Sequence, residues 1–181
     1  IDDFAVWSEA LPVERIRELA SGVSPLALTP TGAAQPPASP LAEYRLDGDA
    51  NTLRYTYSGV VGGGATFVWN DSPFSYAGDA SLYCDGIDDG VVIADAPALR
   101  PGTNAWSVAL WFKADSADQT GTLIAKRMSE FPNTQMNILI AGDQGGGNAG
   151  AGKRIHVYVL SGPDFRDWWE ITSKNDVADG S

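Results

Sequence analysis

Apolar and polar residues alternate along several short stretches of this chain, which is the pattern of β-strands that bury one face. In residues 80–84, the apolar Leu82 and Cys84 alternate with polar neighbours. Residues 85–90, with the sequence DGIDDG, are turn formers, and the apolar run 91–93 follows them. We therefore predict two antiparallel strands joined by a tight acidic turn, with Leu82 and Cys84 directed into the core.

The N-terminal residues predict a short strand followed by a short helix. Residues 1–7, IDDFAVW, form the strand. Pro12 suits the first turn of a helix, and Ile16 and Leu19 then fall on one helix face. Gly22 predicts the end of this helix.

Further runs predict the remaining strands and the segments between them. The predicted strands are 41–47, 55–61, 65–69, 106–114, 122–127, 136–141, 155–160 and 168–172. Residues 21–40 carry five prolines and no charge, which predicts an extended linker. Residues 62–64 are three glycines without a following Lys-Ser/Thr pair, so they predict a flexible turn and no nucleotide loop. Residues 142–152 predict a glycine-rich loop.

Composition limits the partners. The chain has 181 residues, of which 44% are hydrophobic and 10% aromatic, enough to build a core. Its net charge of −11 repels phosphate groups, so neither nucleic acid nor an anionic membrane is an expected partner. No apolar run approaches the roughly 20 residues of a membrane span, so no membrane insertion is expected. The single cysteine excludes an intrachain disulfide.

Several of these stretches together resemble one protein family. Residues 82–99 (LYCDGIDDGVVIADAPAL), 106–113 (WSVALWFK), 122–126 (TLIAK) and 41–48 (LAEYRLDG) are similar to motifs of bacterial laminin-G-like modules. That family has a concanavalin A-like jelly-roll fold. The resemblance implies an all-β, antiparallel jelly-roll sandwich, incomplete here, with one short N-terminal helix.

The resemblance also implies parts of two modules in one chain. Residues 1–20 resemble the closing strand and helix of a preceding module, 21–40 are a linker, and 41–181 resemble the N-terminal part of a second module. The final strand of such a module lies beside its first strand. We therefore predict that Ile1–Trp7 pairs antiparallel with residues 41–47, with the helix packed at the end of the sandwich. The alternative is an N-terminal segment that projects away.

No enzyme is predicted. Glycoside hydrolases of the same architecture place carboxylates about 5–10 Å apart through a Glu-x-Asp-x-x-Glu arrangement, which this sequence lacks. Glu9, Glu14 and Glu18 lie in or beside the N-terminal helix, where exposure to solvent is expected. His156 falls in the middle of a predicted strand and is interpreted as an ordinary strand residue. A fragment of a jelly-roll glycoside hydrolase is the less favoured alternative.

Two neighbouring tryptophans are the candidate ligand-binding residues. Trp168 and Trp169 lie next to each other on a predicted strand, so they point to opposite faces and one of them can stack on a sugar ring. The alternative is that one packs in the core and the other at an edge or interface. Trp69, Trp106 and Trp111 are predicted to be core residues.

Calcium is the candidate cofactor, because it prefers several carboxylate ligands at close spacing. The candidate metal ligands are Asp85, Asp88, Asp89 and Asp95. Asp47 and Asp49 end an earlier strand at an edge expected to be nearby. The alternative is that the turn aspartates only accept hydrogen bonds from backbone N–H groups.

These features predict a non-catalytic binding or adhesion module of an extracellular or cell-surface protein. Carbohydrate is favoured over a protein ligand, and neighbouring modules of a larger chain are expected partners. A structural spacer without a ligand of its own is the alternative from another functional class.

Overall fold

Short antiparallel strands make up most of the fold. A computed structural model of the chain describes residues 1–28, 39–52, 56–71, 78–100, 105–114, 121–126, 135–141, 154–161 and 167–174. The strands are β1 (Asp2–Trp7), β2 (Ala42–Tyr44), β3 (Gly59–Gly62), β4 (Thr66–Trp69), β5 (Ala80–Tyr83), β6 (Gly90–Ile93), β7 (Ser107–Trp111), β8 (Gly121–Lys126), β9 (Gln135–Ala141), β10 (Arg154–Ser161) and β11 (Asp167–Thr172). Helix α1 spans Val13–Ala20, and 3₁₀ turns span Pro25–Ala27 and Pro97–Leu99. The chain divides into two compact units, Ile1–Phe112 and Lys113–Ser181.

Strand β1 is the centre of a three-stranded antiparallel sheet in the order β2-β1-β7. Phe4 lies opposite Tyr44, and Leu41 donates its backbone N–H to the carbonyl of Val6 at 2.7 Å. The predicted antiparallel pairing of the N-terminal strand with residues 41–47 is therefore confirmed. The sequence did not predict that β7 pairs with the other edge of β1.

Strands β3, β4, β5 and β6 form two separate two-stranded antiparallel sheets. Strand β3 pairs with β6 and β4 pairs with β5, so residues 63–65 connect one sheet to the other on one side and the loop 84–89 connects them on the other side. Two strands flank a non-helical acidic loop, as predicted. The predicted hairpin is wrong, because β5 and β6 each pair with an earlier strand and not with each other.

Gly63, the central glycine of residues 62–64, lies in close contact with the backbone of Asp88. Gly63 has a φ of +80°, and a Cβ at this position would lie 2.2 Å from the carbonyl oxygen of Asp88. Only glycine fits both the backbone conformation and the space. The predicted turn is therefore confirmed, with a steric requirement that its sequence did not reveal.

The first unit has two apolar clusters. The larger consists of Ala42, Tyr44, Leu46, Ala50 and Leu82. Leu82 is buried as predicted, and the half-buried Cys84 packs against this cluster. The smaller consists of Ala5, Trp7 and Leu11, with Leu19 of α1 packed against it.

Helix α1 lies where the sequence predicted it. Gly22 has a φ of +90° and donates its N–H to the carbonyl of Leu19 at 2.9 Å, which ends the helix. The predicted apolar face is only partly right, because Ile16 is 54% exposed while Arg15 is buried. The aliphatic stem of Arg15 can pack in the interior while its guanidinium forms an ion pair with Glu18 at 2.5 Å.

The second unit contains a four-stranded antiparallel sheet in the order β11-β10-β9-β8. These strands begin and end within one or two residues of the predicted bounds. The glycine-rich loop at 142–152 and most of the predicted linker, residues 29–38, fall outside the described residues. The module boundaries stay a prediction. Within the described ranges, no helix has both the length and the apolar character needed to cross a membrane.

Candidate functional site

The predicted metal ligands Asp85, Asp88 and Asp89 come together in the loop between β5 and β6. Each offers a carboxylate oxygen, and these oxygens lie within 4.8 Å of one another. The N–H of Asp85 donates to Asp89 at 2.7 Å, and the N–H of Ile87 donates to Asp85 at 2.8 Å. Two of the three carboxylates therefore cap N–H groups of their own loop, as the alternative interpretation predicted.

Asp95, the fourth predicted ligand, lies outside this group. Both of its carboxylate oxygens accept hydrogen bonds from the guanidinium of Arg100. The two side chains are exposed, so this ion pair contributes little to stability. Asp95 would have to leave Arg100 before it could bind a metal ion.

The predicted ligand-binding tryptophans lie on a confirmed strand. Trp168 and Trp169 belong to β11, which pairs in register with β10. Their side chains fall outside the described part of the structure, so their role in stacking stays a prediction. Trp106 and Trp111, predicted as core residues, are half-buried.

His156 is buried on β10 and bonded to the neighbouring strand. Its Nδ1 atom lies 2.9 Å from Oε1 of Glu170 and 3.3 Å from the hydroxyl of Thr172. The hydrogen bond with His156 is the main reason why the pKa of Glu170 is lowered. These cross-strand contacts agree with the interpretation of His156 as a strand residue held in the sheet.

Trp69, predicted to be a core residue, is 55% exposed. A Cβ added to Gly48 would lie 3.3 Å from the ring atom Cη2, so the edge of the indole covers this glycine. Gly48 has a φ of +95° and lies between Asp47 and Asp49 in the turn after β2. The carboxylate of Asp47 accepts the N–H of Ala80 at 2.9 Å, which fixes the turn against the end of the β4-β5 ladder. The indole therefore packs over the turn and not in the core.

A second acidic group, which the sequence did not predict, is buried in the first unit. Its nearly inaccessible members are Asp2 (2% exposed), Glu43 (3%), Asp3 (4%) and Asp79 (4%). Asp47 is half-buried beside them. Carboxylate oxygens of Asp2, Asp47 and Asp79 lie within 4.8 Å of one another.

An irregularity in β1 buries the first two of these acids together. Asp2 pairs with Trp111 and Ala5 pairs with Ala109, so the register shifts by one residue between the two pairs. Asp3 lies in this shift and has a φ of +43°. Adjacent residues of a regular strand face opposite sides, whereas a β-bulge can direct both inward.

Backbone contacts bring Asp79 and Asp47 close to Asp2 of β1. The nitrogen of Ile1 donates to the carbonyl of Leu82, and the N–H of Leu82 donates to the carbonyl of Ile1, both at 2.9 Å. This pair places the start of β1 beside the start of β5, where Asp79 lies. Asp47 reaches the same point through its bond to Ala80.

Burial disfavours the ionised carboxylates of Asp3 and Glu43. Burial is the main cause that raises the pKa of Asp3 and of Glu43 to about 7. The charges of Asp2 and Asp47 raise the pKa of Asp3 further, and Arg45 opposes the shift in both residues. The Oδ2 atom of Asp3 and both carboxylate oxygens of Glu43 have no hydrogen-bond partner.

Part of the signal for this group was present in the sequence. Asp2 and Asp3 lie on a strand predicted to pair with the strand that Asp47 ends, so these acids could have been placed near each other. Nothing in the sequence pointed to Asp79, which reaches them through the contact between Ile1 and Leu82.

Two kinds of chemistry are available at these positions. Clustered carboxylates supply hard oxygen ligands for a cation, and an exposed indole supplies a flat apolar surface for a sugar or an apolar side chain. Comparison of the chain with protein-family models, with curated proteins and with solved structures finds no match in any of the three.

Proposed function

We propose that this chain is a non-catalytic, carbohydrate-binding module of an extracellular or cell-surface protein with several modules. A jelly-roll sandwich of the laminin-G-like type is the architecture we propose for the complete module. The observation that carries the proposal is the half-exposed indole of Trp69, which lies on Gly48 between Asp47 and Asp49.

This arrangement suits a sugar better than a purely apolar ligand. One face of a pyranose ring is apolar and stacks on an indole, while its hydroxyl groups require hydrogen-bond acceptors at the rim. Asp49 follows Gly48 in the turn, is exposed, and uses one carboxylate oxygen to accept the N–H of Asn51 at 2.8 Å. A carboxylate oxygen has more than one lone pair, so Asp49 can still accept a hydroxyl group.

The acidic groups support binding over hydrolysis. A glycoside hydrolase needs two carboxyl groups about 5–10 Å apart on either side of the scissile bond. In the exposed group, carboxylate oxygens of Asp85, Asp88 and Asp89 lie within 4.8 Å of one another, and two of these residues cap loop N–H groups. The other group is buried. Neither arrangement, within the described residues, flanks an open cleft with a spaced pair.

A glycan array probed with the wild-type chain and two variants tests the proposal. Trp69→Ala removes the exposed indole, and Tyr83→Ala is the matched control. Tyr83 is 45% exposed and belongs to the same β4-β5 ladder, but by strand alternation it faces the side opposite Trp69. We expect the wild type and Tyr83→Ala to bind the same glycans, and Trp69→Ala to bind them at least about fivefold more weakly, since a stacked ring contributes on the order of 1 kcal/mol or more.

Two results would contradict this assignment. If the wild type binds no glycan, the chain is better described as a structural spacer or a protein-binding module. If glycan binding survives in Trp69→Ala and is lost in Trp168→Ala or Trp169→Ala, the ligand surface lies on β11, where the sequence predicted it.

A further inference from the structure

The exposed indole of Trp69 lies over a turn that carries an exposed carboxylate. A Cβ added to Gly48 would lie 3.3 Å from Cη2 and 3.4 Å from Cζ2 of Trp69, and both atoms belong to the six-membered ring of the indole. Asp49 is the next residue after Gly48 and is exposed to solvent. The six-membered ring, and not the five-membered ring, therefore meets the acidic turn.

Two hydrogen bonds hold this turn in place. The carboxylate of Asp47 accepts the N–H of Ala80 at 2.9 Å, and Ala80 is the cross-strand partner of Trp69. The carboxylate of Asp49 accepts the N–H of Asn51 at 2.8 Å, which closes the other end of the turn. The indole and the carboxylate of Asp49 thus belong to one frame whose parts are bonded to each other, so a ligand meets them in a fixed arrangement.

The carboxylate of Asp49 has no cationic partner in the part of the chain that the structure describes. Its donor, the backbone N–H of Asn51, is uncharged. Arg45, the arginine nearest to it in sequence, forms no ion pair with it among the described residues. The whole chain has a net charge of −11. An exposed carboxylate on such a chain attracts cations and repels anions.

An indole and a carboxylate on one turn are complementary to a ligand with a positive charge. The face of an aromatic ring attracts cations, and tryptophan does so more strongly than the other aromatic side chains. A carboxylate forms a stronger hydrogen bond with an ammonium group than with a neutral hydroxyl, because both partners are charged. A sugar that carries an amino group presents an apolar ring face and an ammonium group in one molecule, so it uses both features.

We propose that the surface formed by Trp69, Gly48 and Asp49 selects glycans built from amino sugars, with the sugar ring on the indole and its ammonium group on the carboxylate of Asp49. This inference rests on the proposed carbohydrate binding and adds the charge of the ligand to it. A neutral sugar with the same ring keeps the stacking and lacks the charged hydrogen bond, so it binds more weakly. A sugar that carries a carboxylate is repelled by Asp49 and by the net charge of the chain, so it binds most weakly.

Two oligosaccharides that differ only at the sugar nitrogen test this selection. An oligomer of glucosamine carries ammonium groups at about pH 6, below the ordinary pKa of an amine, whereas the same oligomer of N-acetylglucosamine is neutral. Isothermal titration calorimetry with the whole chain measures the affinity for each. We expect the wild type to bind the glucosamine oligomer at least about fivefold more tightly, the factor that corresponds to a cation–π contact at an exposed site. Added salt should reduce this preference, because it screens exposed charges.

Three variants assign the preference to the proposed residues. Asp49→Asn removes the charge and keeps an acceptor for the N–H of Asn51, so it should bind both oligomers with similar affinity. Glu14→Gln removes an exposed carboxylate from α1 and is the matched control for the change in net charge, so it should keep the full preference. Trp69→Ala should bind both oligomers at least about fivefold more weakly than the wild type does.

The results distinguish a failure of this inference from a failure of the proposed function. Equal affinity of the wild type for the two oligomers, or a preference that survives in Asp49→Asn, would overturn the selection of amino sugars and leave carbohydrate binding in place. A preference reduced equally in Asp49→Asn and Glu14→Gln, or unchanged binding of the glucosamine oligomer in Trp69→Ala, would show attraction by net charge alone and would also overturn it. If the wild type binds neither oligomer, the selection is wrong, and the glycan array then decides whether the proposed function is wrong as well.

Discussion

Replacing Glu43 by glutamine should remove a large part of the pH dependence of stability in the cation-free protein. Glu43 is almost inaccessible, and burial raises its pKa to about 7 in the folded state, against an ordinary value of 4.5. Between these two values the unfolded chain has released the proton while the folded chain retains it. Stability therefore falls as the pH rises through this window, and the loss is complete above the folded pKa.

The magnitude follows from the two pKa values. For one group that shifts from 4.5 to about 7, the loss between about pH 5 and about pH 8 is on the order of 2–3 kcal/mol. Asp3 shifts in the same direction and is coupled to Glu43, so the two contributions cannot simply be added. Glu43→Gln should thus reduce the pH dependence by up to about 2–3 kcal/mol and leave the part that belongs to Asp3.

Urea unfolding in EDTA at these two pH values, followed by tryptophan fluorescence, measures the effect. Glu14→Gln is the matched control, since Glu14 is exposed in the first turn of α1. We expect the control to lose as much stability as the wild type over this range and Glu43→Gln to lose clearly less. Equal losses in the wild type and Glu43→Gln would refute the argument that a buried, partnerless carboxyl group titrates near neutral pH.

Three further substitutions test the fold. Gly63→Ala should destabilise by more than about 1 kcal/mol, because its Cβ would meet the carbonyl of Asp88, whereas Gly90→Ala meets nothing within 4 Å and serves as the control in urea unfolding. Asp89→Ala should lose about 1 kcal/mol equally in EDTA and in Ca²⁺, and a loss seen only with Ca²⁺ would contradict its role as a cap. Trp7→Ala should lose about 3–5 kcal/mol by the same assay, since Trp7 is 1% exposed, and a loss below about 1 kcal/mol would place it outside the core.

The strands were predicted well wherever alternation continued over several residues. Strands β8 to β11 lie within one or two residues of their predicted bounds, because a period of two residues is a local property of the sequence. The partner of a strand is not a local property. The acidic turn after Tyr83 predicted a hairpin, but β5 pairs with β4 and β6 pairs with β3, so the acidic residues connect two different two-stranded sheets. The pairing of β1 with β2 was predicted because their sequences resemble the final and the first strand of a laminin-G-like module, which lie side by side in that family.

The same distinction between local and non-local information explains which acidic group the sequence predicted. Asp85, Asp88 and Asp89 lie within five residues, so the sequence alone identified them as a cluster. Their closeness in sequence also lets Asp85 and Asp89 accept hydrogen bonds from N–H groups of their own loop. Asp2 and Asp79 meet only after β1 pairs with Leu82 and a bulge turns two consecutive acids inward. A short-range cluster is therefore weak grounds for a cation site, because turn formation alone accounts for it. A group assembled from three separate segments has no such local explanation, and its assembly depends on strand pairing that the spacing of its members in the sequence does not reveal.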